Sequence, residues 1–127
     1  MKIKTLILII TFYSCVFNPQ SKIIYEINEV DMPPQFYGGE TKMELFIKEN
    51  LKWPSEDFGY SGNVIINAKV NEDGQLDSIR IKKSLCSFCD NEAKRVVSIM
   101  PDWKPAIKNN KIVKCRIDIP IRFKMKN

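Results

Sequence analysis

Few residues in this sequence can do chemistry. There is no histidine among the 127 residues, so the commonest general base and the commonest metal ligand are both missing. Four cysteines remain, and two of them form Cys86-Ser87-Phe88-Cys89, a C-x-x-C just before a predicted helix. A helix N-terminus lowers a thiol pKa, so such a pair can serve thiol–disulfide exchange. A structural disulfide, a pair of free thiols and a metal site are the other readings of the same spacing. Tetrahedral zinc needs about four ligands, and only Cys115 is left to join, so metal is the weakest of them. A structural disulfide between Cys86 and Cys89 is favoured by the cysteine count together with an export signal. Neither a cofactor nor a catalytic residue is expected.

The chain is long enough for one domain and no more. Its hydrophobic content of 44% and charged content of 28% suit a globular fold, and its formal net charge is +5. Lys2 and Lys4 precede an apolar run from Thr5 to Phe12, the pattern of a secretory signal. Counted to Phe17 the apolar stretch is about a dozen residues, too short for a comfortable membrane span. Phe12-Tyr13-Ser14-Cys15 resembles a lipobox, so Cys15 is a candidate for lipidation; soluble export stands beside it. The boundaries drawn are 1–15 for the signal, 16–35 for a short leader and 36–127 for the domain. The expected location is the periplasm or cell envelope, with membrane contact only through the N-terminal anchor.

The pattern then gives the elements. Met43, Phe46, Ile47 and Leu51 fall on one face of a helix that starts after Gly38-Gly39 and ends at Pro54. Val64, Ile66, Ala68 and Val70 alternate with polar neighbours in a strand, and Asp73-Gly74 marks a hairpin. Ile79 and Ile81 alternate in the returning strand. Asp90 is a candidate cap for a second helix with Ala93, Val96, Val97 and Met100 on its apolar stripe. Asn109-Asn110 is a turn. In the last strand Val113, Cys115, Ile117, Ile119, Ile121 and Phe123 point one way, and Lys114, Arg116, Asp118, Pro120 and Arg122 the other. Pro120 cannot donate to a ladder, which puts this strand at a sheet edge. Helix, strand, strand, helix, strand is the order of an α+β domain with helices on one face of a small antiparallel sheet. Trp53 and Trp103, beside prolines at element boundaries, are expected as core anchors.

On the sheet face away from the helices, Lys69, Arg80, Lys82, Lys114 and Arg116 would form a basic patch. A solvated face is the ordinary meaning of such a patch, and an acidic partner is the functional one. Nucleic acid is not expected, because the outward positions carry no aromatic residues for stacking bases.

Together the motifs resemble the C-terminal domain of TonB-family energy transducers, in particular its short Bacteroidetes-type versions. The matching pieces run in order: Met32-Pro33-Pro34-Gln35-Phe36-Tyr37-Gly38-Gly39-Glu40, Trp53-Pro54, Gly62-Asn63-Val64, Asp73-Gly74, Asp90 to Val97, Met100 to Ala106 and Ile119-Pro120-Ile121-Arg122-Phe123. The resemblance implies a three-stranded antiparallel sheet with two helices on one face. It also implies a non-catalytic module that adds an extended segment of an outer-membrane receptor, or another envelope protein, beside its last strand. The implied contact is Val113, Lys114, Cys115, Arg116, Ile117, Asp118 and Ile119, fading at Pro120, with Lys114 and Arg116 selecting acidic residues. The implied topology sets the start of the second helix and the start of the last strand at opposite ends of the sheet, which leaves Cys115 as a reduced core residue. From Asn18 to Gln35 an extended chain covers only ~60 Å, so binding is expected to carry over more readily than force transmission. A periplasmic thiol–disulfide protein using Cys86 and Cys89, and a passive envelope protein, are the alternatives.

Overall fold

A computed structural model describes residues 23–53, 59 and 61–124; the expected export signal with Cys15 lies outside these residues. The elements are β1 (Ile24–Tyr25), a 3-10 turn (Ile27–Glu29), α1 (Gly39–Asn50), β2 (Gly62–Val70), β3 (Leu76–Lys83), α2 (Ser87–Ser98), β4 (Ala106–Lys108) and β5 (Lys111–Phe123). The class is α+β, as the pattern predicts. The expected three strands form the antiparallel part, β5–β2–β3, and two short strands are added to it. β4 pairs antiparallel with the start of β5, and β1 lies parallel to it, so the sheet is mixed.

Alternation explains the layers. Val64, Ile66, Ala68 and Val70 of β2 are buried, and so on the neighbouring strand are Ile117, Ile119, Ile121 and Phe123. Apart from Ala68, these residues form one core with Ala93, Val96 and Val97 of α2, and Met43, Phe46 and Ile47 of α1 pack against it. Both helices therefore cover the same face. The β2–β3 turn brings Gly74 to φ 86°, where a Cβ would sit 2.0 Å from the carbonyl oxygen of Trp103. Only glycine lets the two backbones approach this closely, and the Trp103 N–H donates to the Gly74 carbonyl at 2.8 Å.

Three expectations are corrected. Of the segment drawn as a leader, residues 23–35 belong to the fold: Met32 and Gln35 bridge to Ile107 and Lys104, with Pro33 and Pro34, which lack donors, between the two bridges. The second helix begins before Asp90. Cys86 takes the cap position, its Sγ accepting from the Cys89 N–H at 3.0 Å, while the Asp90 carboxylate accepts from the Leu85 N–H and the Ser84 hydroxyl. Finally, Trp103 is a core residue at 5% exposure but Trp53 is 40% exposed, resting edge-on against Phe123.

Candidate functional site

The register of β5 against β2 is unbroken, from Gly62 opposite Phe123 to Val70 opposite Cys115. Within it Pro120 stands opposite Ile65. A residue without an N–H fits a regular antiparallel ladder where its backbone groups face away from the partner. By period two, Arg116, Asp118 and Arg122 face the same way. The other parity, 111 and 113, bonds to β4 across the two-residue Asn109-Asn110 turn, whose residues have φ 51° and 60°. So β4 takes over the edge of β5 that β2 leaves at Val70. The opposite edge is met by β1 at Lys114 and Cys115.

This divides the expected contact Val113–Ile119. Val113 is committed to Ala106 of β4, and Lys114 and Cys115 to β1. From Arg116 to Arg122 the outer edge of β5 carries no strand among the described residues. It therefore runs beyond Pro120 rather than ending there. The N–H groups of Asp118 and Arg122 point out of it, with a gap at Pro120; that of Arg116 faces the same way but lies within the parallel ladder, where Tyr25 takes the groups that flank Cys115.

Two open hollows of about 430 Å³ each flank this edge. One lies beside Ile117, Asp118 and Ile119, closed by Phe36, Met43 and Trp103. The other runs along Arg122 and Lys124, closed by Ile47, Leu51 and Trp53. They meet at Pro120, which lines both. α1 is the wall opposite the strand edge, and it is pinned at both ends. At its start the Gly39 N–H donates to the Phe36 carbonyl at 2.9 Å, and the Phe36 ring, packed edge-on against Trp103, also meets Phe46 past the middle of the helix. At its end Arg95 donates to the Asn50 carbonyl at 2.6 Å, and the buried Glu92 accepts from the Lys52 N–H and from Arg95. Burial pushes the Glu92 carboxyl up, but the hydrogen bonds from Arg95 and Lys52 outweigh it and hold the group below its usual range. Trp103 Nε1 is buried without a hydrogen-bond partner among the described residues.

The expected basic patch is a lattice of mixed charge. Lys69 pairs with Asp77 at 3.0 Å, Lys82 pairs with Asp118, and Arg116 donates to the Asn67 side chain at 2.6 Å. Burial raises Asp118, but the bonds from Asn67 and Lys82 with the Lys82 charge leave it below the ordinary carboxylate value. Arg80 lies on β3, across from Asn67 of β2. Neutralisation of this kind follows from cross-strand register, which the charges alone do not reveal.

Cys86 and Cys89 have their sulfurs at bonding distance, with Cα atoms 5.0 Å apart. Cys115 is buried and apart from them. Its thiol is pushed up to about 11, by burial first and then by the charges of Glu26 and Glu29. No group of residues able to hold a metal ion occurs among the described residues, and no described helix is long and apolar enough to cross a membrane.

Helices on one face, a long last strand and an uncovered length of its outer edge define a class of small α+β domain. Within that class the chain belongs to the Gram-negative bacterial TonB protein C-terminal family, whose profile matches residues 55–125. It is similar in fold to the NMR solution structure of Helicobacter pylori TonB-CTD, residues 179–285, at 19% identity and a TM-score of 0.49, covering 68% of this chain and 80% of that one. A second NMR structure of that domain, residues 194–285, is 21% identical with a TM-score of 0.48, covering 68% of this chain and 94% of that one. No curated protein matches the chain.

Proposed function

We propose that this domain is a periplasm-facing binding module that captures an extended segment of an outer-membrane receptor, or of another envelope protein, along Arg116–Arg122. The observation that carries the reading is the uncovered edge of β5 in a member of the TonB C-terminal family. An unpaired edge offers main-chain donors and acceptors in register for one more strand, and such addition needs no catalytic group. Affinity comes from those main-chain bonds. The module acts outside the cytoplasm, as its lysine-flanked apolar N-terminus suits. The Cys86–Cys89 pair serves as a staple at the start of α2, with Cys89 buried in the core.

The test is site-specific photo-crosslinking in envelope extract. A crosslinking residue in place of Asp118 should yield an adduct with an outer-membrane receptor, and the same residue in place of Arg80 on β3 should not. Equal yields from the two positions, or adducts from Arg80 alone, would sink the edge reading.

A further inference from the structure

The edge of β5 faces a helix, and this makes it more than a row of hydrogen-bonding groups. A strand added along Arg116–Arg122 would enter the space between β5 and α1. Side chains on one of its faces would then project into the two hollows, at ~6.7 Å between alternate residues. The walls that meet them come from α1: Glu40 and Met43 line the first hollow, and Ile47 and Lys48 the second. Met43 and Ile47 are four residues apart, one turn above the other on the same side of the helix.

The charges along this space are not uniform. At the first hollow the ionisable lining groups are Glu40 and Asp118; Asp118 is paired with Lys82, so Glu40 gives this end its acidic character. At the second they are Lys48, Arg122 and Lys124 against Glu44 alone, and Lys83 joins Arg122 and Lys124 in the adjoining hollow at the end of β5. The groove thus runs from an acidic end to a basic end, with an apolar floor between. Main-chain pairing by itself accepts a strand in either direction, because both parallel and antiparallel ladders form.

Resting on the capture of an extended segment at this edge, we infer that α1 is the specificity wall of the site and that the charge gradient fixes the direction of the bound strand. The occupant is a peptide with apolar residues at alternate positions, a cationic or neutral end beside Glu40 and an acidic end beside Lys48, Arg122 and Lys124. Main-chain bonds hold it, Met43 and Ile47 read its apolar face, and the terminal charges select one orientation. Like charges set opposite each other in the reverse orientation supply the discrimination.

Two nine-residue probes of identical composition test this, each with a nitroxide on its N-terminus: Lys-Ser-Val-Ser-Val-Ser-Val-Ser-Glu-amide, and the same peptide with Lys and Glu exchanged. The main chain lets each probe pair in either direction, so the orientation is read and not the affinity. Amide shifts of the labelled domain at low salt report binding, and paramagnetic broadening reports which end carries the nitroxide. The label should broaden amides near Glu40 for the probe that begins with Lys, and amides near Lys48 and Arg122 for the probe that begins with Glu; raised salt should blur the difference. In the variant carrying Glu40→Lys, Lys48→Glu and Arg122→Glu the two patterns should exchange. Met43→Ser with Ile47→Ser should lower affinity at least tenfold for both probes, but should change little for a probe whose valines are serines. The core amides of each variant report whether it is folded, and an exchange of patterns cannot come from a loss of stability. The same broadening pattern from both probes, with shifts along Arg116–Arg122, would overturn the directional reading and leave edge capture standing. Shifts that spare that stretch with every probe would overturn both.

Discussion

The sheet has two outer edges, and they are built differently. β3 is one of them. Its register against β2 slips twice, between Ile65 and Ile66 and again between Asn67 and Lys69, and Ser78 sits at φ 48° beside the second slip. Bulges bend a strand and spoil the even row of groups that another strand would need, so this edge is blunted. β5 is the other. From Cys115 to Phe123 it pairs with β2 without a slip, and Pro120 is the one interruption of its outward row there. Apolar hollows lie beside it. The fold thus protects one edge and leaves the other regular, lined and facing a helix, which is the asymmetry expected of a sheet that pairs with a partner on one side only.

The largest effect that bears on this asymmetry is structural. Trp103 lines the hollow beside β5 and meets Gly74 of the β2–β3 turn, so it ties the two halves of the sheet together. Trp103→Ala should cost about 3–5 kcal/mol, a large share of the ~5–15 kcal/mol available to a small domain, and leave the protein largely unfolded. A thermal melt like the parent's would show that the indole is dispensable to the core and reopen a direct ligand role for it.

Next comes the edge itself. Asp118→Pro removes an outward N–H from the open part of the edge, and it should weaken peptide binding about fivefold, given ~1 kcal/mol for a main-chain bond. Arg80→Glu on the blunted edge should leave affinity within a factor of about two at moderate salt. Titration calorimetry of both variants with one peptide checks the pair, and the comparison fails if Arg80→Glu is the more damaging.

A smaller effect concerns the charges that tie the two edges together across the solvent face. Asp118 on β5 meets Lys82 on β3, and its folded pKa lies below the ordinary 3.8. A depressed carboxyl contributes stability that is present above that ordinary value and lost as pH falls through the lower folded one. Asp118→Asn should therefore cost under ~1 kcal/mol at neutral pH, as befits an exposed pair. Denaturant melts should show the variant losing less stability than the parent as the pH drops below 3.8. An identical acid slope in the two proteins would remove the bridge from the account.

The least perturbing measurement is peptide mapping of the non-reduced protein. Cys86 should be found joined to Cys89 and Cys115 should be free. Cys115, with its thiol at about 11, should resist alkylation at mildly alkaline pH until the protein is denatured. A bridge from Cys115 to either partner would mean that β1 and the closed end of β5 are arranged otherwise.

Much of this was legible from single residues. Alternation in β2 and β5 identified the buried face down to individual positions, because a strand has a side-chain period of two and one face is covered. Asp73-Gly74 and Asn109-Asn110 marked their turns through backbone angles that few other residues accept. Pro120 announced an edge through its missing donor. The N-cap was misread because Asp90 is a good capping type, whereas the cysteine that holds the place does so through its sulfur, a weak acceptor that propensity does not favour.

What the sequence determined by itself, then, is the class of fold, the order of the two helices and three main strands and which face of each is apolar, since all of these follow from local periodicity. Which part of β5 is open was decided only by the tertiary structure. β1 is two residues long, and neither Ile24 nor Tyr25 carries a pattern that foretells a parallel pairing with Lys114 and Cys115, close to ninety residues away. The same holds for the groove. Trp53 and Ile47 become walls of a hollow, and Lys69 and Lys82 become neutralised partners, only when register and helix packing bring distant residues within reach. Contacts of that kind depend on how the whole chain closes, not on the spacing of any one segment.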